Sequence, residues 1–160
     1  ASAVSGDFRT RDLEIIAGED NTETEYKEFG CRFTVDVKNA FFSPRLSTER
    51  GRIANLVQNG EVMTNMFAGI GMFSIMAAKK KKCTVYSIDI NPIASKLCET
   101  NIGLNKLAGN IISINGDASE IIKEQLVNKS DRTLMLLPER SDEFLDSAIE
   151  TTKDGGIIHY

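Results

Sequence analysis

The sequence lacks the features that mark membrane, secreted and disulfide-bonded proteins. None of its apolar runs approaches the ~20 residues that a membrane-spanning helix needs. Its first residues lack the apolar core of a signal peptide. It has only three cysteines, widely spaced and without a C-x-x-C pair, which argues against a disulfide framework or a zinc site. These absences predict a cytoplasmic protein with no metal and no membrane partner.

Basic charge is also scarce overall. The net charge is −4, which disfavours a general nucleic-acid coat. The distribution is uneven, because residues 29–60 hold five basic and two acidic side chains, with Arg45, Arg50 and Arg52 close together. Such a patch can position one phosphate-bearing partner, although ordinary charge scatter on a solvated surface explains the same count.

An alternation of strand-like and helix-like segments begins at residue 61. Strands are predicted at 61–67, 83–90, 111–115, 133–137 and 155–160. Helices are predicted at 71–82, 92–105, 119–127 and 141–152, the last with Ser141 as its N-cap. This alternation predicts an α/β fold with a parallel sheet and helices on both faces. His159, in the final strand, has no candidate partner.

The first forty residues show a different pattern of predicted secondary structure. Short strands are predicted at 13–17, 22–28 and 31–37, followed by a turn at Pro44 and a helix. We expect residues 1–40 to form a small antiparallel β subdomain on a larger domain of residues 41–160, since forty residues bury too little surface to fold alone. The final run, "GIIHY", has no later partner strand. We therefore expect a fragment that lacks C-terminal strands and an N-terminal portion.

The stretch "FAGIG" follows the first strand of the alternation. Gly69 and Gly71 allow a tight turn and a close approach of the backbone to a ligand. Asp89 closes the next strand, 20 residues after Gly69, where a carboxylate can accept both hydrogen bonds of a ribose diol. Asp117 follows the third strand, where an adenine amino group would lie.

Two cofactor classes share this layout. A dinucleotide site needs a third glycine, and Ser74 stands at that position. S-adenosylmethionine carries no phosphate and tolerates a bulkier residue there, so it is favoured over NAD. A packing turn with two surface carboxylates is the simpler alternative. "LLPERS" closes the fourth strand, and Leu137 and Pro138 are either a substrate loop or only a turn.

Five segments in order, "FFSPRLSTER", "FAGIG", "SIDINP", "NIGLNKL" and "DGGIIHY", closely resemble archaeal-type tRNA guanine-37 N1-methyltransferases and their wyosine-pathway relatives. The resemblance covers almost the whole sequence. It implies a Rossmann-like class I methyltransferase that uses S-adenosylmethionine, with residues 41–160 as the catalytic domain. It also implies a tRNA partner, a separate tRNA-recognising domain outside this sequence, and a monomer.

The resemblance also implies roles for individual residues. Glu49 matches the general base that removes the guanine N1 proton, which needs a carboxylate of raised pKa, and Arg9 matches an arginine that contacts the target guanine, with Arg11 close enough to compete. From the residue pattern alone, an ion pair of Glu49 with Arg45 or Arg52 is favoured. The implied cofactor-binding residues are Arg45, Asn65, Phe67, Gly69, Gly71, Asp89, Ile90, Asp117 and Leu136.

Three positions depart from the family pattern. Asn65 stands for an aspartate at the end of the first parallel strand, Met72 for a proline, and Leu136 for an asparagine before Leu137–Pro138. These changes allow reduced affinity, altered specificity or a degenerate enzyme. The alternatives to guanine N1 methylation are an aminocarboxypropyl transferase that uses the same cofactor, a non-catalytic tRNA-binding module and a dinucleotide-dependent oxidoreductase. "SPRLSTER" favours methyl transfer.

Overall fold

Five parallel strands form the central sheet in the order β5-β4-β3-β6-β7. The computed structural model describes residue 6, residues 8–10 and residues 12–160. The strands of the sheet are β3 (Val62–Asn65), β4 (Thr84–Asp89), β5 (Asn110–Asn115), β6 (Ser130–Leu134) and β7 (Thr152–His159). The α/β fold with a parallel sheet is therefore confirmed.

The helices alternate with the strands as predicted. They are α1 (Ser47–Leu56), α2 (Met72–Lys80), α3 (Pro92–Gly103), α4 (Ala118–Ile121) and α5 (Ser141–Thr151). A π-helical turn, Ile122–Leu126, continues α4, and 3-10 turns at Pro44–Leu46 and Pro138–Arg140 precede α1 and α5. Two apolar cores cover the two faces of the sheet, since successive side chains of a strand point to opposite faces. Met63 and Val85 belong to one core, and Met66 and Ile88 to the other.

The strand order sets the position of a ligand site. The chain runs from β3 outward to β5, then returns to the other side of β3 to form β6 and β7. In open parallel sheets, ligands bind beyond the carboxyl ends of the strands at the point where the order reverses. That point lies between β3 and β6, directly after Asn65 and Leu134.

Residues before the sheet form a β-hairpin of β1 (Glu23–Glu28) and β2 (Cys31–Asp36), paired in antiparallel register. On β2, Cys31, Phe33 and Val35 are buried in the same core as α1, α2 and α3. The hairpin thus shares the core of the main sheet and has none of its own. This burial explains the clean alternation of apolar residues that predicted β2.

Two predictions of secondary structure were wrong: the strand at 13–17 and the N-cap at Ser141. The segment 13–17 is not a strand: no strand of the described residues pairs with it, and Ile16 is 92% exposed. Ser141 is the first residue of α5, not its N-cap, and its hydroxyl donates to the carbonyl of Pro138 at 3.2 Å. The 3-10 turn that precedes α5 supplies this acceptor, which sequence patterns do not reveal.

His159 also has a partner that the sequence did not suggest. Its Nε2 lies 2.8 Å from Nη1 of Arg132. Arg132 is buried and bonds Glu61 through Nε and Nη2, both at 3.0 Å. Because the guanidinium can only donate hydrogen bonds, Nε2 of His159 is the acceptor and carries no proton. Burial and the charge of Arg132 lower the pKa of His159.

Asn101 on α3 fastens the hairpin to the site end of the sheet. Its Oδ1 accepts from the amide of Thr34 at 2.7 Å, and its Nδ2 donates to the carbonyls of Thr34 and Ile70 at 3.1 and 3.0 Å. The side chain is fully buried. This is why "NIGLN" carries an asparagine within a helix.

Asn101→Ala is expected to lower the free energy of unfolding by about 2–4 kcal/mol, because it leaves buried backbone groups of Thr34 and Ile70 without a partner. Urea denaturation monitored by circular dichroism measures the change. Glu99→Ala, an exposed position on the same helix, is the control and should stay within about 0.5 kcal/mol of the parent. Equal effects of the two substitutions would show that Asn101 does not fasten the hairpin.

Candidate functional site

Two adjoining cavities lie at the carboxyl end of the sheet. Phe67, Ile90 and Leu137 line both of them, so the two cavities are neighbours, and together they are called the cleft. The first cavity lies between the sheet end and the segments around residues 8–9 and 41–50. The second lies between the ends of β3, β4 and β5 and the start of α5. Of the residues expected to bind cofactor, Phe67, Gly69, Asp89, Ile90, Asp117 and Leu136 line this cleft.

The two glycines of "FAGIG" have different structural roles. Gly69 lines the first cavity with φ of 55°, and its amide donates to Oδ2 of Asp89 at 2.6 Å. Gly71 has φ of 86° and is not among the residues that line the cleft. A Cβ there would lie 2.5 Å from Sγ of Cys98. Gly71 therefore allows the close packing of α2 against α3, and Gly69 provides the approach to a ligand.

Asp89 is held in place by backbone donors at the wall of the first cavity. Gly69 donates to Oδ2, and the amide of Asn91 donates to Oδ1 at 2.9 Å. Each carboxylate oxygen keeps a second acceptor position. Burial raises the pKa of Asp89, while the two amides act in the opposite direction. A fixed carboxylate with free acceptor positions suits a vicinal diol.

The second cavity is a slot whose apolar side chains include Phe67, Ile90 and Phe144 and whose charged residues are Asp117 and Arg140. Phe67 and Phe144 meet edge to face with ring centroids 4.9 Å apart. Oδ1 of Asp117 caps α4 by accepting from the amides of Ser119 and Glu120 at 2.9 and 3.1 Å. These two bonds fix the carboxylate at the slot, where it can accept from an exocyclic amino group of a flat heterocycle.

Asn65, the last residue of β3, lies buried beneath the glycine turn and does not line either cavity. Its Nδ2 donates to Oγ of Ser74 at 3.2 Å, and Ser87 donates to the same oxygen at 2.6 Å. Oδ1 of Asn65 has no hydrogen-bond partner in the part of the chain that the structure describes. An unpaired buried acceptor at this end of β3 marks a place where a bound donor would be favourable.

Arg9 forms part of the opposite wall of the first cavity. Its guanidinium stacks over the ring of Phe41 at 4.5 Å, and Nη2 donates to Oε1 of Glu139 at 3.2 Å. Arg11, the competing candidate for the same role, lies outside the described residues. The geometry therefore places a cation at the cleft through Arg9.

Glu49 lies on α1 beside the cleft but is not one of its lining residues, whereas Leu46 and Arg50 of the same segment are. Its two oxygens accept from Nε and Nη2 of Arg52 at 2.8 and 2.6 Å. This ion pair, one of the two that the residue pattern suggested, lowers the pKa of Glu49. The shift is opposite to the raised pKa expected for a general base. Arg45 is exposed on the 3-10 turn and does not line the cleft either.

The loop after β6 contributes apolar contacts. Leu136 lines the first cavity and Leu137 lines both, while the exposed Pro138 lines neither. Pro138 begins the 3-10 turn that leads into α5. The loop thus borders the cleft through its two leucines, and its proline fixes the direction in which the chain leaves.

Sequence reasoning missed the buried pair that supports the site. Nε and Nη2 of Arg50 both bond Glu28 at 2.7 Å, and Nη1 donates to the carbonyl of Ser43 at 3.1 Å. Arg50 and Glu28 are each nearly inaccessible to solvent. The pair fastens the segment 43–50 to the end of β1. Sequence alone gave no signal that these two residues, 22 apart, would meet.

Aromatic side chains of the first cavity were also missed. Phe8, Phe41, Phe42 and Phe73 line it. The pair Phe41–Phe42, separated from Pro44 only by Ser43, was a readable signal, because two aromatic residues beside a rigid turn seldom both face solvent. Asn91 is another cavity-lining residue that sequence reasoning missed. It caps α3 through Oδ1 and donates from Nδ2 to the carbonyl of Asn39 at 2.8 Å.

Among the described residues, no group of three or more His, Cys, Asp or Glu side chains is arranged to hold a metal ion. In the same part of the chain, no helix is long and apolar enough to cross a membrane. The polar groups of the cleft are carboxylates, amides, hydroxyls and guanidinium groups.

Residues 24–160 match the family model of the TRM5/TYW2 methyltransferase domain. Among curated proteins, tRNA (guanine(37)-N(1))-methyltransferase Trm5b of Pyrococcus abyssi is 49% identical over 159 residues, which cover 99% of this chain and 46% of that protein. The tRNA(Phe) (4-demethylwyosine(37)-C(7)) aminocarboxypropyltransferase of Methanocaldococcus jannaschii is 42% identical over 159 residues, covering 98% of this chain and 61% of that protein.

Solved structures give the same result. The structure of a complex of aTrm5 with tRNALeu superposes with a TM-score of 0.90 at 45% identity, covering 99% of this chain and 46% of that one. M. jannaschii TYW2 in complex with AdoMet superposes with a TM-score of 0.80 at 41% identity, covering 92% of this chain and 65% of that one. The chain spans about half the length of the Trm5 relative it matches.

Proposed function

Since the chain belongs to the TRM5/TYW2 methyltransferase family, we propose that its cleft binds S-adenosylmethionine and that the whole protein methylates N1 of guanine 37 in tRNA. The observation that carries this proposal is the convergence of Gly69, Asp89 and Asp117 on two neighbouring cavities at the switch point of the sheet. Family membership supports group transfer from S-adenosylmethionine to tRNA, and the cleft supplies the residues proposed to perform it.

The polar and apolar groups of the cleft fit an adenosyl cofactor. Asp89 has fixed oxygens with free acceptor positions for the ribose diol. Asp117 stands at one side of an apolar slot formed with Phe67 and Ile90, which suits adenine. Ser74 is fully buried and bonded to Asn65 and Ser87, so the turn lacks the third glycine that a pyrophosphate requires. S-adenosylmethionine, when bound, supplies an electrophilic methyl group.

Guanine N1 carries a proton at neutral pH and must lose it before it can act as a nucleophile. We assign the removal of this proton to Glu49. Glu49 must first release Arg52 and then contact the guanine base. We assign to Arg9 the stabilisation of the negative charge that develops at O6, which is worth about 2.7–4 kcal/mol for one well-placed donor. The chain's part in methyl transfer is to orient the base and exclude water.

Arg52→Gln provides a test of the Glu49 assignment. Arg52 is the main cause of the lowered pKa of Glu49, so its removal raises that pKa. A general base must be deprotonated to act, and the acidic limb of the rate profile is therefore expected to move to higher pH. Single-turnover methyl transfer measured from acid to neutral pH reads the shift. Arg32→Gln, which removes an exposed arginine paired with Glu25 on the hairpin, is the matched control. An acidic limb that does not move in Arg52→Gln would contradict the assignment.

Aminocarboxypropyl transfer from the same cofactor is the second candidate. It is favoured by the M. jannaschii relative named for that reaction and by Leu136, which places an apolar side chain in the first cavity where an asparagine was expected. A non-catalytic tRNA-binding module is the third, and Asn65 and Leu136 are the departures that would fit it. Product analysis separates all three.

We further propose a monomeric cytoplasmic protein with no metal cofactor and no membrane partner. Cys31, Cys83 and Cys98 are free and buried, which suits a reducing compartment. We retain the division at residue 40, with residues 1–40 as a subdomain whose hairpin supports the segment 43–50 through the Glu28–Arg50 pair, and residues 41–160 as the catalytic domain.

Isothermal calorimetry tests the cofactor class. We expect S-adenosylhomocysteine to bind and NAD to give no heat. Binding of NAD alone would favour an oxidoreductase. Absence of heat with either compound would favour the tRNA-binding module and would contradict the proposed cleft.

A further inference from the structure

We propose that Glu139 is a positioning residue for Arg9: it holds the guanidinium at the cleft in the orientation that an acceptor atom of the substrate base requires. This inference rests on the proposed function, in which Arg9 contacts guanine. Glu139 itself touches neither cavity. It lies two residues after Leu137, in the 3-10 turn Pro138–Arg140 that follows the cleft-lining leucines.

Three contacts fix Arg9. Its backbone has a left-handed φ of 51°, and its amide donates to the carbonyl of Gly6 at 3.0 Å. Its guanidinium carbon lies over the Phe41 ring, 4.5 Å from the ring centroid, which holds the group against that ring. The bond from Nη2 to Glu139 at 3.2 Å then fixes the direction of one donor. Glu139 therefore supplies the one directional contact, and the ring contact alone would leave the donors free to rotate.

The guanidinium of Arg9 is oriented, but one of its hydrogen-bond donors has no acceptor. Nε of Arg9 is buried and has no hydrogen-bond partner in the part of the chain that the structure describes. A buried donor without a partner is rare in folded proteins, and a bound group that supplies an acceptor would satisfy it. The carbonyl oxygen of a purine is such an acceptor. Arg9 therefore combines a contact with an aromatic ring, one anchored donor and one donor that a bound group can use.

The Arg9–Glu139 pair is too exposed to be explained by stability. The side chains of Arg9 and Glu139 are 24% and 65% exposed, and ion pairs of this kind contribute little to folding. The pair links the wall formed by Arg9 to the turn that follows the cleft-lining leucines, 130 residues away in sequence. The role left for Glu139 is to orient Arg9. Through Arg9, Glu139 also sets the separation of the N-terminal segment from the loop after β6.

The test uses single-turnover methyl transfer to tRNA by the whole protein. Glu139→Gln is expected to lower the rate about tenfold, because a misdirected donor no longer meets the charge that develops on the base. The KM for S-adenosylmethionine and the thermal midpoint are expected to stay unchanged. Glu25→Gln, which removes the similarly exposed partner of Arg32 on the hairpin, is the matched control and should match the parent.

A double-mutant cycle separates orientation from other effects. If Glu139 acts only through Arg9, the variant carrying both Arg9→Ala and Glu139→Gln is expected to be as slow as Arg9→Ala alone. A further tenfold loss in the double variant, or a Glu139→Gln rate equal to that of the parent, would overturn the inference.

A measurement without turnover keeps this inference distinct from the proposed function. In protein labelled with ¹⁵N-arginine, the Nε–H signal of Arg9, assigned through Arg9→Lys, is expected to be protected from exchange and to broaden or shift in Glu139→Gln. If the parent methylates no tRNA, the proposed function fails while this signal still reports on the positioning of Arg9. An Nε–H signal identical in the parent and in Glu139→Gln would overturn the inference whatever the activity.

Discussion

Glu49→Gln is expected to slow methyl transfer by about a hundredfold or more while leaving the affinity for S-adenosylhomocysteine nearly unchanged. Glutamine keeps the size of the side chain but cannot accept the guanine N1 proton, and loss of a general base typically costs this much. Glu49 does not line the cleft, so cofactor affinity should not depend on it. Single-turnover rates and calorimetry with S-adenosylhomocysteine measure the two quantities.

The control for Glu49 is Thr48→Ala, at the exposed preceding position of α1, which should leave both quantities at the parent values. Glu49→Gln also removes the charged partner of Arg52. The pair is partly exposed, and its loss should cost little stability. If Glu49→Gln weakened rate and affinity by the same factor, Glu49 would be a structural residue and the base would have to be sought elsewhere.

Asp89→Asn is expected to weaken the binding of S-adenosylhomocysteine about a hundredfold. The substitution removes the charged acceptor proposed for the ribose diol, and hydrogen bonds to charged groups are worth about 1.5–3 kcal/mol each. It also places an amide NH₂ or carbonyl where Asp89 now accepts from both Gly69 and Asn91. An amide can accept only one of these bonds in its present orientation, so the glycine turn is disturbed as well.

Calorimetry measures the affinity, and Asp146→Asn, an exposed carboxylate on α5, controls for the loss of one negative charge. Thermal unfolding of the ligand-free variant shows whether the turn has collapsed. If Asp89→Asn remained folded and bound S-adenosylhomocysteine as tightly as the parent, the cofactor would not lie against Asp89, and the assignment of the first cavity would be wrong.

The sheet and its helices were predictable because their signals are local. The alternation of apolar segments from residue 61 gives β3 to β7 and α2 to α5, and the turn residues between them fix the boundaries to within a few positions. The hairpin strand β2 was predictable for the same reason, since Phe33 and Val35 are buried. The failures have different causes: residues 13–17 have no partner strand among the described residues, and at Ser141 a 3-10 turn precedes the helix and shifts its first residue.

The cleft was predictable only in part. Gly69, Asp89 and Asp117 follow three different strands, and the topology of a parallel sheet brings strand ends together. Gly71 could not be told from Gly69 by sequence, because its role depends on Cys98 of another helix. The ion pair of Glu49 with Arg52 was one of the two that the residue pattern favoured. The pattern could not distinguish Arg52 from Arg45, because the choice depends on the direction of a side chain at the edge of the cleft.

Mass spectrometry of the nucleosides from unmodified tRNA incubated with the whole protein and methyl-labelled S-adenosylmethionine tests the account most directly. We predict labelled 1-methylguanosine, located at position 37 by digestion into oligonucleotides. An adduct with the mass of an aminocarboxypropyl group, or tRNA that stays unmodified although S-adenosylhomocysteine binds, would contradict it.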